Sequence, residues 1–409
     1  MFPCGLSFAK RIAFQKGTTM NSKKFWQRSQ LAALLLTLTV PLSAALPPIV
    51  SAAVQTNAAS QQSAVMQKVI IQGAQELPVQ AIVDQSAGSV SKNAAGQWVC
   101  PTIKQALAQI KKMKLDSAAV LLKPGIYREK LTIKQTNLTL AGMTSPEYTM
   151  IVFDDAEGTP VRSEDAASGR KLYGLSGSPT FKIHEDAVNF QAVNLTFSND
   201  FVPEDHPEMK NRQALAIKNS SDGSSFWNCR FLGRQDTLYA DAGRQYYKNC
   251  YIEGDVDFIF GAGTAVFEDC EIHSVNREGD VKGFVTAPST PAGKPGFLFN
   301  RCHLTCGFDD GVAYLGRPWH PSSAQSPVSS AVTFRNCLIE DFIAEDGWSP
   351  MANKGGISEP KDNRMFEYQN TGDGAGITKA RRQLSEAQAK DYTTKAFFSG
   401  WVPETVFVR

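Results

Sequence analysis

The stretch GDVDFIFGAG, Gly254 to Gly263, carries two carboxylates, Asp255 and Asp257, inside a run of Val, Phe, Ile and Phe. A carboxylate buried without a partner is costly, so such a group is solvated, paired or put to use. Asp236 stands 21 residues before Asp257, and Gln235 and Gln213 stand 22 and 44 residues before it. A repeat of that length would bring two Gln and two Asp to one face of the fold. Two carboxylates about 5 Å apart repel by roughly 3 kcal/mol at an effective dielectric near 20. That disfavours the second ionisation roughly a hundredfold, enough to keep one group protonated near neutral pH. A protonated acid beside a carboxylate is an acid–base or nucleophile–acid pair. Arg317, in LGRPW, is the cation best placed to decide which group stays ionised, and the two Gln amides suit a developing oxyanion. The same spacing also fits solvated polar ladders on a surface, and spacing alone does not separate the two. Gln235 and Asp236 are adjacent, so a regular strand would turn them to opposite faces. The site therefore requires a bend in the backbone there.

The repeat that would position these residues is written in the cysteines. NCRFLG at Asn228, NCYIEG at Asn249, DCEIHS at Asp269, RCHLTC at Arg301 and NCLIED at Asn336 share one pattern: polar, Cys, any residue, apolar. Cys229, Cys250 and Cys270 follow at steps of 21 and 20; the later gaps of 32 and 35 each fit one coil plus a loop. NLTFSN at Asn194 and NLTLAGM at Asn137 look like versions without Cys. A period near 20, with no room for a long helix, indicates a solenoid of short strands, and so an all-β parallel β-helix. Strands of successive coils lie about 4.8 Å apart, so residues one period apart stack. A β-sandwich does not repeat one pattern at one period. TIKQALAQIKKM spaces Ile103, Ala106, Leu107 and Ile110 along one helical face, which predicts a helix capping the first coil. SEAQAKDY opens on Ser385 as an N-cap, predicting a short helix in a C-terminal tail along the outside.

The 409 residues are 42% hydrophobic and 20% charged, a composition that folds. Lys23, Lys24 and Arg28 precede the apolar run Leu31 to Val40, and small residues follow. This reads as an export leader over 1–53, with Met20 a plausible true start. A polar linker is expected over 54–65 and one β-helix domain over 66–409. Without residues 1–53, which hold six of the 42 basic residues and none of the acidic ones, 36 basic residues face 40 acidic. That balance carries no nucleic-acid or membrane-surface signature. Seven of the eight Cys remain in the exported part, where some are expected to pair and the odd count leaves at least one free.

The residues also carry a resemblance. GRQDTLYA (Gly233–Ala240), GDVDFIFG (Gly254–Gly261) and YLGRPWHP (Tyr314–Pro321) resemble the signature segments of pectin methylesterases, or pectinesterases. So do GIYREKL (Gly125–Leu131), QALAIK (Gln213–Lys218) and FEYQNTGDGAG (Phe366–Gly376), in the expected order from about residue 65 to the end. VTAPST and RRQLSEAQAKDYT look most like the secreted bacterial members. The resemblance implies a right-handed parallel β-helix that removes methyl esters from galacturonosyl residues of pectin and releases methanol. It implies that Asp257 is the nucleophile and Asp236 the general acid, then base. It further implies that Gln213 and Gln235 stabilise the tetrahedral anion, that Arg317 keeps Asp257 ionised, and that Trp319 offers a wall for a sugar ring. No metal or organic cofactor is implied, and a secreted monomer acting on the polysaccharide is expected. Cys250 and Cys270 match a disulfide position of bacterial members. GQWVCPTI departs from the usual entry to the first helix, which touches the first coil and Cys100 but not the site. NDFVPEDHPEMKN, before Gln213, reads as a loop on the rim of the cleft.

The five His show no paired ligand spacing, and GLSGS at Gly174 is no nucleophile elbow. His320 is placed either to touch substrate or to serve the surface. Phe181 is a candidate for contact with sugar, as are Trp227, Tyr239 and Trp348, although single aromatics in a solenoid usually fill its core. Asp255 is expected to be a solvated turn residue. Two other functions stay open at this point. One is a glycosidase or lyase on the same scaffold, since carboxylates about 5 Å apart also suit a retaining glycosidase. The other is a wall-binding relative without catalysis.

Overall fold

A computed structural model describes residues 69–409; the expected leader (1–53) and linker (54–65) lie outside the described residues. The chain winds into a parallel β-helix. Three long, almost wholly parallel sheets of eight, seven and twelve strands are formed among the described residues, each built from strands of successive coils. The polar residue of each polar–Cys pair makes the turn: Asn228, Asn249, Asp269, Arg301 and Asn336 all have φ between 50° and 56°, as do the upstream Asn137 and Asn194. This left-handed region is least costly for Asn and Asp among residues with a side chain. The turns also link one coil to the next, the Asn228 side-chain amide donating to the Asn194 side-chain oxygen at 2.8 Å.

Each turn aims the following Cys inward. Cys229, Cys250, Cys270, Cys302 and Cys337 are all buried in one ladder. Beside it runs an aromatic ladder, Phe226, Tyr247, Phe267, Phe299 and Phe334, with neighbouring ring centroids 4.4–4.8 Å apart and planes within 11° of parallel. That spacing is the rise from coil to coil. The expected pairing of Cys250 with Cys270 is not formed, and all seven Cys among the described residues are free thiols. In-register neighbours on parallel strands project side by side, and each thiol turns instead to a main-chain acceptor. Cys250 Sγ donates to the Lys248 carbonyl and Cys270 Sγ to the Tyr247 carbonyl, both at 3.4 Å. Burial pushes the Cys229 thiol up to about 12 and the Cys250 thiol well up, so these groups stay protonated and inert.

The first coil is covered by a helix, and the C-terminal tail runs along the outside. A helix, Ile103–Met113, is capped by Thr102 and sets Ile103, Ala106 and Ile110 into the core against Val83 and Cys100. Glu129 accepts hydrogen bonds from the Ile103 and Lys104 amides at 2.8 and 2.9 Å, tying the helix start to the first coils. In the C-terminal tail Ser385 forms a capping box with Gln388, and a second short helix, Thr394–Phe397, follows. Phe397, Phe398 and Val406 then pack on the outer face of the twelve-stranded sheet, against Val193, Trp227 and Tyr246. The last strand, Val406–Val408, pairs antiparallel with Ile70–Gln72.

Candidate active site

Of the residues singled out above, Asp257 lies in a strand of the seven-stranded sheet, and Gln213, Gln235, Asp236, Arg317 and Trp319 flank its strands. Leu238 pairs with Ile259 and Tyr239 with Phe260, a step of 21. The Asp236 amide donates to the Val256 carbonyl at 3.1 Å, so Asp236 lies one rung from Asp257. The bend required between Gln235 and Asp236 is present: Asp236 has φ 67°, and Asp257 has φ 51°. Around Asp257 the strand Val256–Gly261 also bulges, spanning Val256 to Ile259 against only Phe284 to Thr286 on the next coil. The extra residue lets Phe258 and Ile259 both enter the core while Asp257 is aimed outward into a cleft. Bulges re-aim side chains in this way beside active sites. Gly261 closes the segment with φ 124°, and a Cβ there would lie 2.2 Å from the Ala240 carbonyl oxygen, so no other residue fits.

The cleft encloses about 300 Å³, and Gln213, Gln235, Asp236, Asp257, Arg317 and Trp319 all line it. Arg317, just past the strand Val312–Gly316, grips Asp257 with two bonds: Nε to Oδ1 at 2.8 Å and a terminal nitrogen to Oδ2 at 2.6 Å. Its guanidinium also sits 3.9 Å from the Phe284 ring centroid. Phe260 stacks on Tyr239 at 4.2 Å and meets Trp319 at 5.7 Å, forming an apolar floor beside the carboxylates. The Gln213 carboxamide oxygen is buried with no hydrogen-bond partner.

The two carboxylates differ electrically. Burial pushes Asp257 above the usual carboxylate range, and the Arg317 guanidinium opposes that shift. Asp236 is pushed well above it by burial first, then by the charge of Asp257, then by Glu157. The arrangement therefore favours a proton on Asp236 and a negative charge on Asp257.

Glu157 carries no signal in the sequence. It sits in no motif, yet its carboxyl lines the cleft and is itself raised by burial. The expected rim loop presents it: the Glu157 amide donates to the Gln213 carbonyl and the Gly158 amide to the Asn211 carbonyl, both at 2.8 Å. Leu175, from a loop, and Met351, from a short antiparallel hairpin of Met351–Asn353 with Gly356–Ser358, complete the wall, again without a sequence signal.

Some expectations fail. Phe181 does not face the cleft; it is fully buried, packed on Phe197 at 4.8 Å, because alternation along Phe181–Ile183 turns its neighbour Lys182 outward instead. Trp227 and Trp348 are buried in packed clusters, and only Tyr239 of the other candidate aromatics lies in the apolar floor with Phe260 and Trp319. Asp255 is not solvated: it is largely buried, accepts from the Val256 amide at 2.6 Å and stands 4.0 Å from Arg234. The His320 ring is held by Asn363 and Ser358, each at 3.1 Å, which is a structural role. Among the described residues, His184, Glu185 and Asp186 are the one trio close enough together to ligate a cation, and Glu185 and Asp186 are exposed.

Known proteins resemble this chain in sequence and in fold. The Pectinesterase family profile matches residues 88–401. Pectinesterase A of Dickeya chrysanthemi is 35% identical over 344 residues, covering 77% of this chain and 91% of the relative. Pectinesterase 31 of Arabidopsis thaliana is 33% identical over 318 residues, covering 75% and 90%. Among solved structures, pectin methylesterase from Erwinia chrysanthemi superposes with a TM-score of 0.71 at 32% identity, covering 80% of this chain and 99% of that one. A pectin methylesterase solved in complex with a hexasaccharide gives 0.70 at 33% identity with the same coverage. With the family profile spanning most of the β-helix and these relatives aligned across it, the chain belongs to the pectinesterase family.

Proposed function

We propose that this chain hydrolyses the C6 methyl esters of galacturonosyl residues in pectin, with Asp257 as nucleophile and Asp236 as acid and base. The supporting observation is one cleft holding an Arg317-clamped carboxylate one rung from a carboxyl whose surroundings favour its protonated form. In the first half-reaction the Asp257 carboxylate attacks the ester carbonyl carbon. The oxygen becomes an anion within reach of the Gln213 and Gln235 amides, and two such donors in a dry site account for a large share of the rate. Collapse breaks the C–O bond to the methoxy group while Asp236 gives its proton to the leaving oxygen, so methanol departs and an anhydride joins Asp257 to the sugar. In the second half, Asp236, now ionised, takes a proton from water as the water attacks the anhydride carbonyl. Galacturonate leaves, Asp257 is regenerated and Asp236 is protonated again. Trp319, with Phe260 and Tyr239, supplies the apolar surface for a sugar ring.

We also infer that residues 1–53 are an export leader followed by a linker over 54–65, and that the domain over 66–409 acts outside the cytoplasm as a monomer. The support is the basic–apolar–small pattern of the leader; no helix among the described residues is long and apolar enough to cross a membrane.

The test is methanol and acid release from highly methylated pectin, run beside reducing-end and viscosity measurements. Equimolar methanol and acid, lost in Asp257→Asn, is the expected result. New reducing ends or falling viscosity without methanol would replace esterase with chain cleavage. Binding without any turnover would leave a wall-binding protein, and full activity in Asp257→Asn would remove the nucleophile assignment.

A further inference from the structure

The twelve-stranded sheet, which does not carry the cleft, holds a groove of about 480 Å³ on its outer face. The floor comes from four neighbouring strands, Val79–Val83, Ala118–Leu122, Leu138–Gly142 and Gln191–Val193. Ala119, Thr139 and Gln191 stand in register on three of them. Their sequence neighbours Val120, Leu140 and Ala192 face the core, so strand alternation turns this row outward. On the fourth strand Gln80 is the extra residue of a bulge between Val79 and Ala81. From Gln80 to Gln191 is three strand spacings, about 14 Å.

The facing wall is the tail segment from Trp401 to Glu404, and it is held in place. The Glu404 carboxylate accepts from Gln72 Nε2 at 2.7 Å, and the Gly73 amide donates to the Thr405 carbonyl at 2.9 Å. The Trp401 ring packs on Phe398, centroids 4.9 Å apart, and the Arg244 guanidinium lies 5.2 Å from its centroid. The groove is thus formed before any ligand arrives, as binding sites usually are.

Its polar groups are only half used. Gln80 Oε1 accepts from the Ala119 amide at 2.6 Å, and Gln191 Oε1 accepts from the Thr139 hydroxyl at 3.1 Å. Each carboxamide nitrogen is left without an acceptor among the described residues, and so is the Trp401 indole N–H. Asn189 is the converse: its nitrogen donates to Asn137 Oδ1 at 3.0 Å, and its oxygen accepts from no described residue. The groove therefore offers several donors and an acceptor at once. Its charge is as telling. No Lys or Arg lines it, and its one charged residue, Glu404, is anionic. A polyanion finds nothing there to offset its charge. Spare carboxamides beside an indole suit a neutral ligand dense in hydroxyls, which both donate and accept and carry apolar C–H faces between them.

We propose that this groove is a non-catalytic binding site for neutral sugar residues, held by Gln80, Asn189, Gln191 and Trp401. Two sources present that chemistry: galacturonan whose carboxyls are still methylated, and uncharged polysaccharide. De-esterified galacturonan does not. Held by this site, the protein would stay on esterified or uncharged material while the cleft turns over. That consequence rests on the pectinesterase reading above; the binding itself does not.

The test is calorimetric titration of Asp257→Asn protein, which leaves esters intact, with three probes: a fully methylated oligogalacturonate, a neutral galactan oligosaccharide and polygalacturonate. Each is repeated with Gln191→Leu and Trp401→Leu added together, and with Trp401→Phe, which keeps an aromatic ring. Two methylated oligomers bound per protein, falling to one in the double substitution, would assign the groove to methylated galacturonan. One bound galactan oligomer, weakened about tenfold by the double substitution, would assign it to uncharged polysaccharide. In either case Trp401→Phe should weaken the neutral probe by less. Polygalacturonate, a ligand for the cleft alone, reports the fold and should bind every form equally. No change with either neutral probe, or an equal loss for polygalacturonate, would overturn the site. The outcome is separate from that of the esterase reading: no methanol from any pectin in the unsubstituted protein, with groove binding intact, would sink that reading and leave this site standing.

Discussion

Two arginine–carboxylate pairs in this molecule have nearly the same bond pattern and opposite surroundings. Arg381 holds Glu367 through Nε to Oε1 and a terminal nitrogen to Oε2, both at 2.7 Å, as Arg317 holds Asp257. The first pair is sealed, each side chain 1% exposed, and its remaining atoms are used: Arg381 also donates to the Gly374 carbonyl at 2.8 Å, and Glu367 accepts from Asn370 at 3.1 Å. The second pair lines a cleft, Arg317 22% and Asp257 9% exposed, with Asp257 on left-handed backbone in a bulge. A sealed and fully bonded pair cannot meet a substrate, and it locks the tail segment carrying Arg381 to the last coil. An open pair, held in a conformation that costs backbone energy, has an ionised oxygen to offer. Partner identity is therefore a poor guide to role; exposure, leftover bonding capacity and backbone strain separate the two.

That contrast can be broken at several points. The largest effect is expected in Asp257→Ala, which should lower methanol release by roughly 10⁴-fold or more, as loss of a nucleophile does. Arg317 can regain water, so the urea unfolding midpoint should not fall; a large fall would make this pair structural after all. Arg381→Ala should do the reverse, because it strands a buried Glu367. A loss of about 3–5 kcal/mol is expected in urea unfolding, with kcat kept wherever the protein remains folded.

Smaller effects sharpen the electrostatics. In Arg317→Lys the two-pronged grip is lost. Arg317 holds the Asp257 pKa down, so weakening it raises that pKa, and the ionised nucleophile appears only at higher pH. The acid limb of the kcat/KM profile should therefore move upward, and activity at a fixed pH on that limb should fall about tenfold for every pH unit the limb moves. An unmoved acid limb would mean that Arg317 does not set the charge state of Asp257. The smallest effect belongs to Glu157→Gln. Glu157 raises Asp236, so removing its charge lowers the Asp236 pKa, and the required proton is lost at lower pH. The alkaline limb should move down by less than about one pH unit, with the unfolding midpoint unchanged. A fixed alkaline limb would leave Glu157 a bystander on the rim.

The coil repeat was legible because its cause is local. A turn that needs left-handed backbone takes Asn or Asp, the next residue points inward, and the period is copied from coil to coil, so Asn228–Cys229, Asn249–Cys250 and Asp269–Cys270 advertise one geometry. Spacing on that repeat also foretold that Asp236 and Asp257 would be neighbours. The thiols show its limit: adjacency in a ladder was foreseeable, but parallel side-by-side projection, which leaves Cys250 and Cys270 unpaired, belongs to the coil geometry. Only the folded chain decided which way several side chains face. A bulge at Asp257 and left-handed backbone at Asp236 undo the strand alternation that would hide one of the acids, while ordinary alternation buries Phe181 and turns the half-buried Lys182 outward. Glu157, from a loop, and Met351, from a short hairpin, reach the cleft far from any motif, because proximity across coils depends on the paths of inserted segments that no local pattern encodes. The repeat is a short-range property and survives in one dimension; the chemistry of the cleft is a convergence of distant segments and exists only in three.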